Sequence, residues 1–270
     1  MLGKLFRKSR EREEAGPVGP SVGGRPPRLP RGIRIYAIGD VHGRLGLLRK
    51  LEGIIAADHH ARGDSCQPWI VYLGDYVDRG AESRQVIQHL IDGPPEGFEA
   101  IHLLGNHDLW LREFLEDPAY GPSWYKHGGD ATLLSYGVRM DPSKSEEARF
   151  KEAQLAMRGR VPHEHRRFLS GLELGFSIGD YFMVHAGIMP SKPFDQQSVE
   201  DLLWVREPFL SHDNELAKVV VHGHTVEDRP TERRHRIGID TGACWTGMLS
   251  ALGLEEDQRW YLQTGADGGS

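Results

Sequence analysis

Five short apolar runs, each breaking on a residue of metal-ligand type, constrain this 270-residue chain more than any other feature. They are IRIYAIGD (33–40), WIVYLGD (69–75), EAIHLLGNHD (99–108), YFMVHAG (181–187) and KVVVHGHT (218–225). Runs of about four to eight residues rich in Ile, Val, Leu and Tyr read as buried strands. Helix-period patterns lie at 45–57, 82–92 and 107–116. Strands alternating with helices predict βαβ units and a layered α/β architecture. Ligands of open α/β sheets bind beyond the carboxyl ends of the strands, so the five polar run-ends predict one shared site.

The rest of the chain adds boundaries. The stretch 145–170 has a helical pattern broken at Pro162, and 236–263 alternates in short strand-like runs, as a second sheet would. Residues 1–31 hold eight Lys/Arg against three Glu, about +5, and are rich in Gly, Pro and Arg. Such a segment lacks the apolar surface to offset ordering entropy, so it is expected to be a disordered basic tail. One domain would then occupy 32–265, with 266–270 a flexible end. Against a total of −6, the tail leaves about −11 on the body. An acidic body excludes a dedicated nucleic-acid surface, which needs clustered positive charge. Bound divalent cations would offset part of it.

With 39% hydrophobic and 27% charged residues the composition is that of an ordinary globular protein. No apolar run approaches the roughly 18 residues of a membrane span. The start, MLGKLFRKSRERE, lacks the apolar core of a secretory signal, so a cytoplasmic location is expected. Cys66 and Cys244 stand outside any CxxC pair and read as incidental thiols.

The run-ends carry the chemistry. Gly39-Asp40-Val41-His42-Gly43 sets a carboxylate and an imidazole two residues apart, and GDYVDRG (74–80) supplies Asp75, Asp78 and Arg79. GNHD (105–108) adds Asn106 and His107, while His185, His222 and His224 end the last two runs. A single Asp or His after a strand is more often a turn or cap residue than a ligand. Five such ends together are not explained that way. Mixed oxygen and imidazole donors suit borderline cations such as Mn²⁺, Fe²⁺ or Zn²⁺, and so many of them suggest two ions.

These blocks resemble the calcineurin-like metallophosphoesterases, and more narrowly the phosphoprotein phosphatase branch, which reads GDxHG, GDxxDRG, GNHE, HAG and a final His. Here they stand as GDVHG (39–43), GDYVDRG (74–80), GNHD (105–108), HAG (185–187) and GHT (223–225), spread over about 33–245. DLLWVREP (201–208) is similar to a stretch of bacterial members, which implies a bacterial origin. The resemblance implies a four-layer α/β/β/α sandwich around a central pair of mixed β-sheets. By position it gives Asp40 and His42 to a first metal, Asp75 to both metals, and Asn106, His185 and His224 to the second. His107 would stand beside the leaving group, oriented by Asp78, with Arg79 and Arg206 on the phosphate oxygens. Two departures stand out. Asp108 replaces a Glu that is not a ligand, and Val226 stands where the wider superfamily often has a second His.

The chemistry so implied is phosphomonoester hydrolysis of the serine/threonine phosphatase kind with two divalent ions, Mn²⁺ foremost. Two close cations make water a better nucleophile and neutralise phosphoryl charge. His107 can protonate a departing alkoxide, and planar guanidinium groups match a phosphate face. The competing reading is a diadenosine tetraphosphate hydrolase; those relatives share the metal blocks but tend to lack the Asp of DRG. A non-catalytic binding module is a third reading, weakened because no expected ligand is missing. His222 reads as packing or as support behind the ligands. Trp110, Trp124, Trp204 and Trp245 read as core or rim packing, and WYKHGGDAT (124–132) as a loop holding His127 near substrate.

Overall fold

The structure is a computed structural model and describes residues 19–63 and 65–265. Strand β1 (Ile33–Ile38) is followed by α1 (Leu45–Arg62), β2 (Gln67–Tyr72), α2 (Ser83–Asp92), β3 (Glu99–His102) and α3 (Asn106–Glu116). Then come α4 (Gly121–Trp124), a π-helical turn over Tyr125–Gly129, α5 (Asp130–Ser135), α6 (Glu146–Arg160) and α7 (His163–Ser170). The second half holds β4 (Gly175–Ile178), β5 (Tyr181–Val184), α8 (Val199–Trp204), β6 (Val219–His222), β7 (Thr231–Arg233), β8 (Arg236–Gly238), α9 (Ala243–Thr246), β9 (Ser250–Glu255) and β10 (Gln258–Gln263).

Two five-stranded mixed sheets form, in the orders β10-β9-β1-β2-β3 and β4-β5-β6-β8-β7. In the first, β1, β2 and β3 run parallel, as helical crossovers require, while β9 lies antiparallel to β1 with Ile38 opposite Ala251. In the second, β5, β6 and β8 run parallel.

The pleat of β1 sorts its side chains into two cores. Tyr36 and Ile38 face outward into a cluster with Leu48, Leu51, Ile87, Leu111 and Phe114 of the helices. Ile35 and Ala37 face the other way, against Met183, Val219, Val221 and Ile237 of the second sheet. A third cluster joins Val184 and Val220 to Leu202, Val205 and Phe209 on the outer side of that sheet. Helix, sheet, sheet and helix are the four layers expected. Each fully buried aliphatic side chain in them contributes about 1.5–3 kcal/mol of transfer free energy.

Three expectations change. The run 236–263 is not one sheet: β8 belongs to the second sheet, whereas β9 and β10 extend the first. The break at Pro162 holds, since it precedes α7, but 124–132 is helical, with Gly128 at φ 107° kinking the turn. The expected disordered tail does not extend over residues 19–31. Residues 19–31 are held on the body: Leu29 is buried, Arg25 Nη1 donates to Asp180 Oδ2 at 2.6 Å, and Ser21 Oγ donates to Glu215 Oε1. Residues 1–18 and 266–270 lie outside the described residues.

Candidate metal centre

The carboxyl ends of β1, β2 and β3 in one sheet and of β5 and β6 in the other meet at a common edge, and the five blocks leave the strands there. The turns are sharp. Six described non-glycine residues have left-handed backbone, and five belong to these blocks: His42 (φ 44°), Asp75 (52°), Asp78 (72°), Arg79 (66°) and His224 (60°). Each such turn costs on the order of 1–3 kcal/mol, and clustering of that strain is a mark of functional sites. Close packing enforces it. A Cβ added to Gly43 would stand 2.6 Å from the Gly80 carbonyl oxygen, so the turns after β1 and β2 touch backbone to backbone.

Asp75 stands at the middle. Two sets of ligand-type atoms, each within 4.8 Å of one another, share it: His42, Asp75 and His107, and Asp75, His185 and His224. His42 Nε2 is 3.4 Å from Asp75 Oδ2, and His185 Nε2 is 3.5 Å from Asp75 Oδ1. Asp40 Oδ2 lies 4.0 Å from His42 Nε2, and both Asp40 oxygens accept from the His224 amide. Asn106 Oδ1 is 2.7 Å from His185 Nε2 and 3.0 Å from His224 Nδ1. All six residues expected to hold metal are together, and five are almost wholly buried.

The donor chemistry fits divalent cations. His42 Nδ1 donates to the Val77 carbonyl and His185 Nδ1 to that of Leu73, so each Nε2 presents a lone pair inward. Burial keeps these rings neutral: His42 and His224 are each lowered to about 3, and His185 is lowered as well. The lone pair of His185 Nε2 therefore faces the acceptor oxygens of Asn106 and Asp75, an arrangement that a cation satisfies. Burial, with the carboxylates of Asp240 and Asp75 close by, pushes Asp40 well above the carboxylate range. Positive charge among these groups would reverse that.

His107 is gripped from behind. Its Nδ1 lies 2.7 Å from Asp78 Oδ2, which also accepts from Trp124 Nε1 at 2.8 Å, while Thr132 Oγ1 donates to Asp78 Oδ1 at 2.6 Å. Burial raises the Asp78 carboxyl, and these hydrogen bonds favour its ionised form. In front, Arg79 Nη2 is 3.0 Å from His107 Nε2 and Nη1 is 2.5 Å from His42 Nε2. A cleft of about 260 Å³ opens over Asp75, Asn106, His107 and His224, with Arg79, Arg206, Trp110, Trp204 and His127 around it. A larger hollow of about 440 Å³ behind α2, β3 and α7 contains none of the six candidate ligands, so size does not mark the site.

Sequence reasoning undervalued two residues. Asp108 is wholly buried; its Oδ2 accepts from the Asp75 and Gly105 amides and its Oδ1 from that of Tyr76, so it pins the Asp75 turn. Asp240, 3% exposed, faces Asp40 from the end of β8, and burial first of all raises its carboxyl to about 6. The run RIGID is a sixth apolar stretch ending on an acid, and the rule that found the other five would have found it. His222 points away from the ligands, with Nδ1 bonded to the Gly223 carbonyl and Nε2 3.3 Å from Arg236. Trp124 is core, as expected, while Trp110 and Trp204 line the cleft and Trp245 is 62% exposed.

Comparison with known proteins agrees with this geometry. The model of the calcineurin-like phosphoesterase family matches residues 33–246. A symmetrical bis(5′-nucleosyl)-tetraphosphatase of Methylococcus capsulatus (strain ATCC 33009 / NCIMB 11132 / Bath) is 31% identical over 71% of this chain, a match that spans about half of the relative (52%). Its counterpart in Neisseria gonorrhoeae (strain NCCP11945) is 26% identical over 84% of this chain and 95% of its own length. Shewanella-like protein phosphatase 2 of Arabidopsis thaliana is 25% identical over 60% of this chain and 48% of the relative. A crystal structure of a cold-active protein tyrosine phosphatase superposes with a TM-score of 0.55 at 18% identity, covering 86% of this chain and 79% of that one, a likeness of fold. The matched segment runs from the first residue of β1 through α9 and so takes in every block of the site. This chain belongs to the calcineurin-like phosphoesterases and is a metal-dependent phosphoric ester hydrolase.

Proposed function

We propose that the chain hydrolyses phosphomonoesters with poor leaving groups, as a phosphatase of the serine/threonine type, using two divalent ions of which Mn²⁺ is the working choice. The observation that carries this reading is the His107–Asp78 pair beside Asp75, the residue common to both ligand sets. A pair of divalent ions supplies, when bound, Lewis acidity toward water and toward the phosphoryl oxygens. Asp40 and His42 would hold one, Asn106, His185 and His224 the other, with Asp75 between. Arg79 and Arg206 orient the phosphate from the cleft walls. His107, doubly protonated with its Nδ1–H held by the Asp78 carboxylate, would give the Nε2 proton to the departing oxygen and be left as the neutral Nδ1–H ring. An alkoxide needs that proton far more than a nucleotide phosphate does, which favours monoesters over anhydrides.

A second reading, hydrolysis of dinucleotide polyphosphates, is favoured by relatives named bis(5′-nucleosyl)-tetraphosphatase. The two part on substrate. Protein loaded with Mn²⁺ is expected to release phosphate from phosphoserine peptides faster than it forms ADP from diadenosine tetraphosphate. The opposite order would overturn the first reading, and no turnover of either with Mn²⁺, Fe²⁺ or Zn²⁺ would remove both. A cytoplasmic setting belongs to the same proposal; among the described residues no helix is long and apolar enough to cross a membrane.

A further inference from the structure

Trp245 has no packing duty that explains its position. It sits on α9, five residues after Asp240, and at 62% it is the most exposed of the large apolar side chains described. Lone exposed apolar residues are ordinary, so exposure alone carries nothing. Its surroundings carry more. The Arg79 guanidinium carbon stands 4.7 Å from the ring centroid, within cation–π range. The same guanidinium reaches His42 Nε2 with one nitrogen and His107 Nε2 with the other. One planar group thus links the Trp245 ring to the imidazole that faces the leaving group.

The ring is also set from beneath. Gly242 has left-handed backbone (φ 69°), and a Cβ there would come 3.3 Å from Trp245 Cε3 and 3.0 Å from Val226 Cγ1. Glycine at the start of α9 takes the left-handed turn without strain and leaves room for Val226 and Trp245 to pack over it. Val226, two residues beyond His224, is itself 43% exposed and borders Gly242 as Trp245 does; neither lines the cleft, which Arg79 joins to the Trp245 ring. A second group of rings, Trp110, His127 and Trp204, lines the cleft, with Trp110 4.9 Å from His127 and 4.8 Å from Trp204. Cations for an anionic head and an oriented ring beside them describe a ligand with both parts.

We infer that Trp245 forms a ring-binding subsite, which adds affinity for those phosphate esters whose organic part also carries a flat aromatic ring to stack on its open face. This rests on the phosphate-ester reading of the cleft. The ring could be an aryl group directly on the ester oxygen or a nucleobase one ribose away; the chemistry recognised is the same.

Three phosphonates that cannot be hydrolysed separate the possibilities by calorimetric titration of Mn²⁺-loaded protein. Methylphosphonate carries no ring, phenylphosphonate carries one beside phosphorus, and the 5′-phosphonate analogue of AMP carries one beyond a ribose. A ring-bearing ligand is expected to bind about 2- to 12-fold tighter than methylphosphonate, the span of an aromatic pair. Trp245→Ala should abolish that margin and leave methylphosphonate unchanged, and Trp245→Phe should retain most of it. Whichever ring-bearing ligand loses affinity identifies the source of the ring. Equal losses for all three ligands, or none for any, would overturn the subsite while sparing the phosphate-ester reading. Failure of methylphosphonate to bind would instead sink that reading, and the subsite with it.

Discussion

At the scale of single residues the site turns on which nitrogen of each imidazole carries hydrogen. His42 and His185 give Nδ1–H to main-chain carbonyls, whereas His107 gives it to the Asp78 carboxylate. On the proposed mechanism the first two would bind a cation through Nε2, and the third, doubly protonated, would give up its Nε2 proton. His107→Asn should therefore lower turnover of alkyl phosphates by about 10²–10⁴-fold. Loss with p-nitrophenyl phosphate should be much smaller, and metal content should persist. Equal losses for both substrates in steady-state assays would reject proton donation. That these residues would gather was legible because the blocks are short and local. Asp240 was within reach of the same rule, since RIGID ends on an acid, but its facing of Asp40 was not: β8 and β1 lie in different sheets, and local sequence does not say which strand ends meet.

At the scale of elements, turns rather than strands place the chemistry. Asp108 sits in the first turn of α3 and reaches back to the amides after β2, so a helix start fixes a neighbouring turn. Asp108→Asn would set an NH₂ group against one of those amides. It should cost about 1–3 kcal/mol, read as a lower denaturant midpoint. Metal affinity should fall roughly 10–100-fold, as for other outer-shell partners. Unchanged affinity would show that the Asp75 turn holds itself. The helices around 45–57, 82–92 and 145–170 were legible from period and from Pro162. The sheet membership of β9 and β10 was not, because alternation states that a segment is strand without naming its partner. Residues 19–31 misled for a related reason: their Pro and Gly content is local, while the bond of Arg25 to Asp180 spans 155 positions.

At the scale of the whole molecule, buried histidines tie stability to pH. His235 is fully buried, bonds the Phe209 carbonyl through Nε2 and leaves Nδ1 without a partner, and burial lowers it to about 4. Unfolded, it would titrate near 6.5. Between those values the unfolded chain binds the proton and the folded one does not, so stability falls as pH drops through that window. His235→Gln removes this share. Relative to the variant, the wild type should lose about 1–2 kcal/mol between pH 7 and pH 5, read from paired denaturant titrations. A difference constant with pH would mean that His235 titrates normally when folded.

The ligand residues come from both sheets: Asp40, Asp75 and Asn106 follow strands of one, His185 and His224 strands of the other. An ion held by Asp75, Asn106, His185 and His224 would therefore rivet two layers that also meet along the apolar seam of Ile35, Val71, Val219 and Ile237 and through the bonds of His185 to Leu73 and of His224 to Asp40. Chelation should then do more than stop turnover: it should let the layers slide. Amide exchange should quicken along β5 and β6, and the melting temperature should fall by the equivalent of about 2.7 kcal/mol for an ion held at 100 times its Kd. Identical melting with and without chelator would mean that the layers need no rivet.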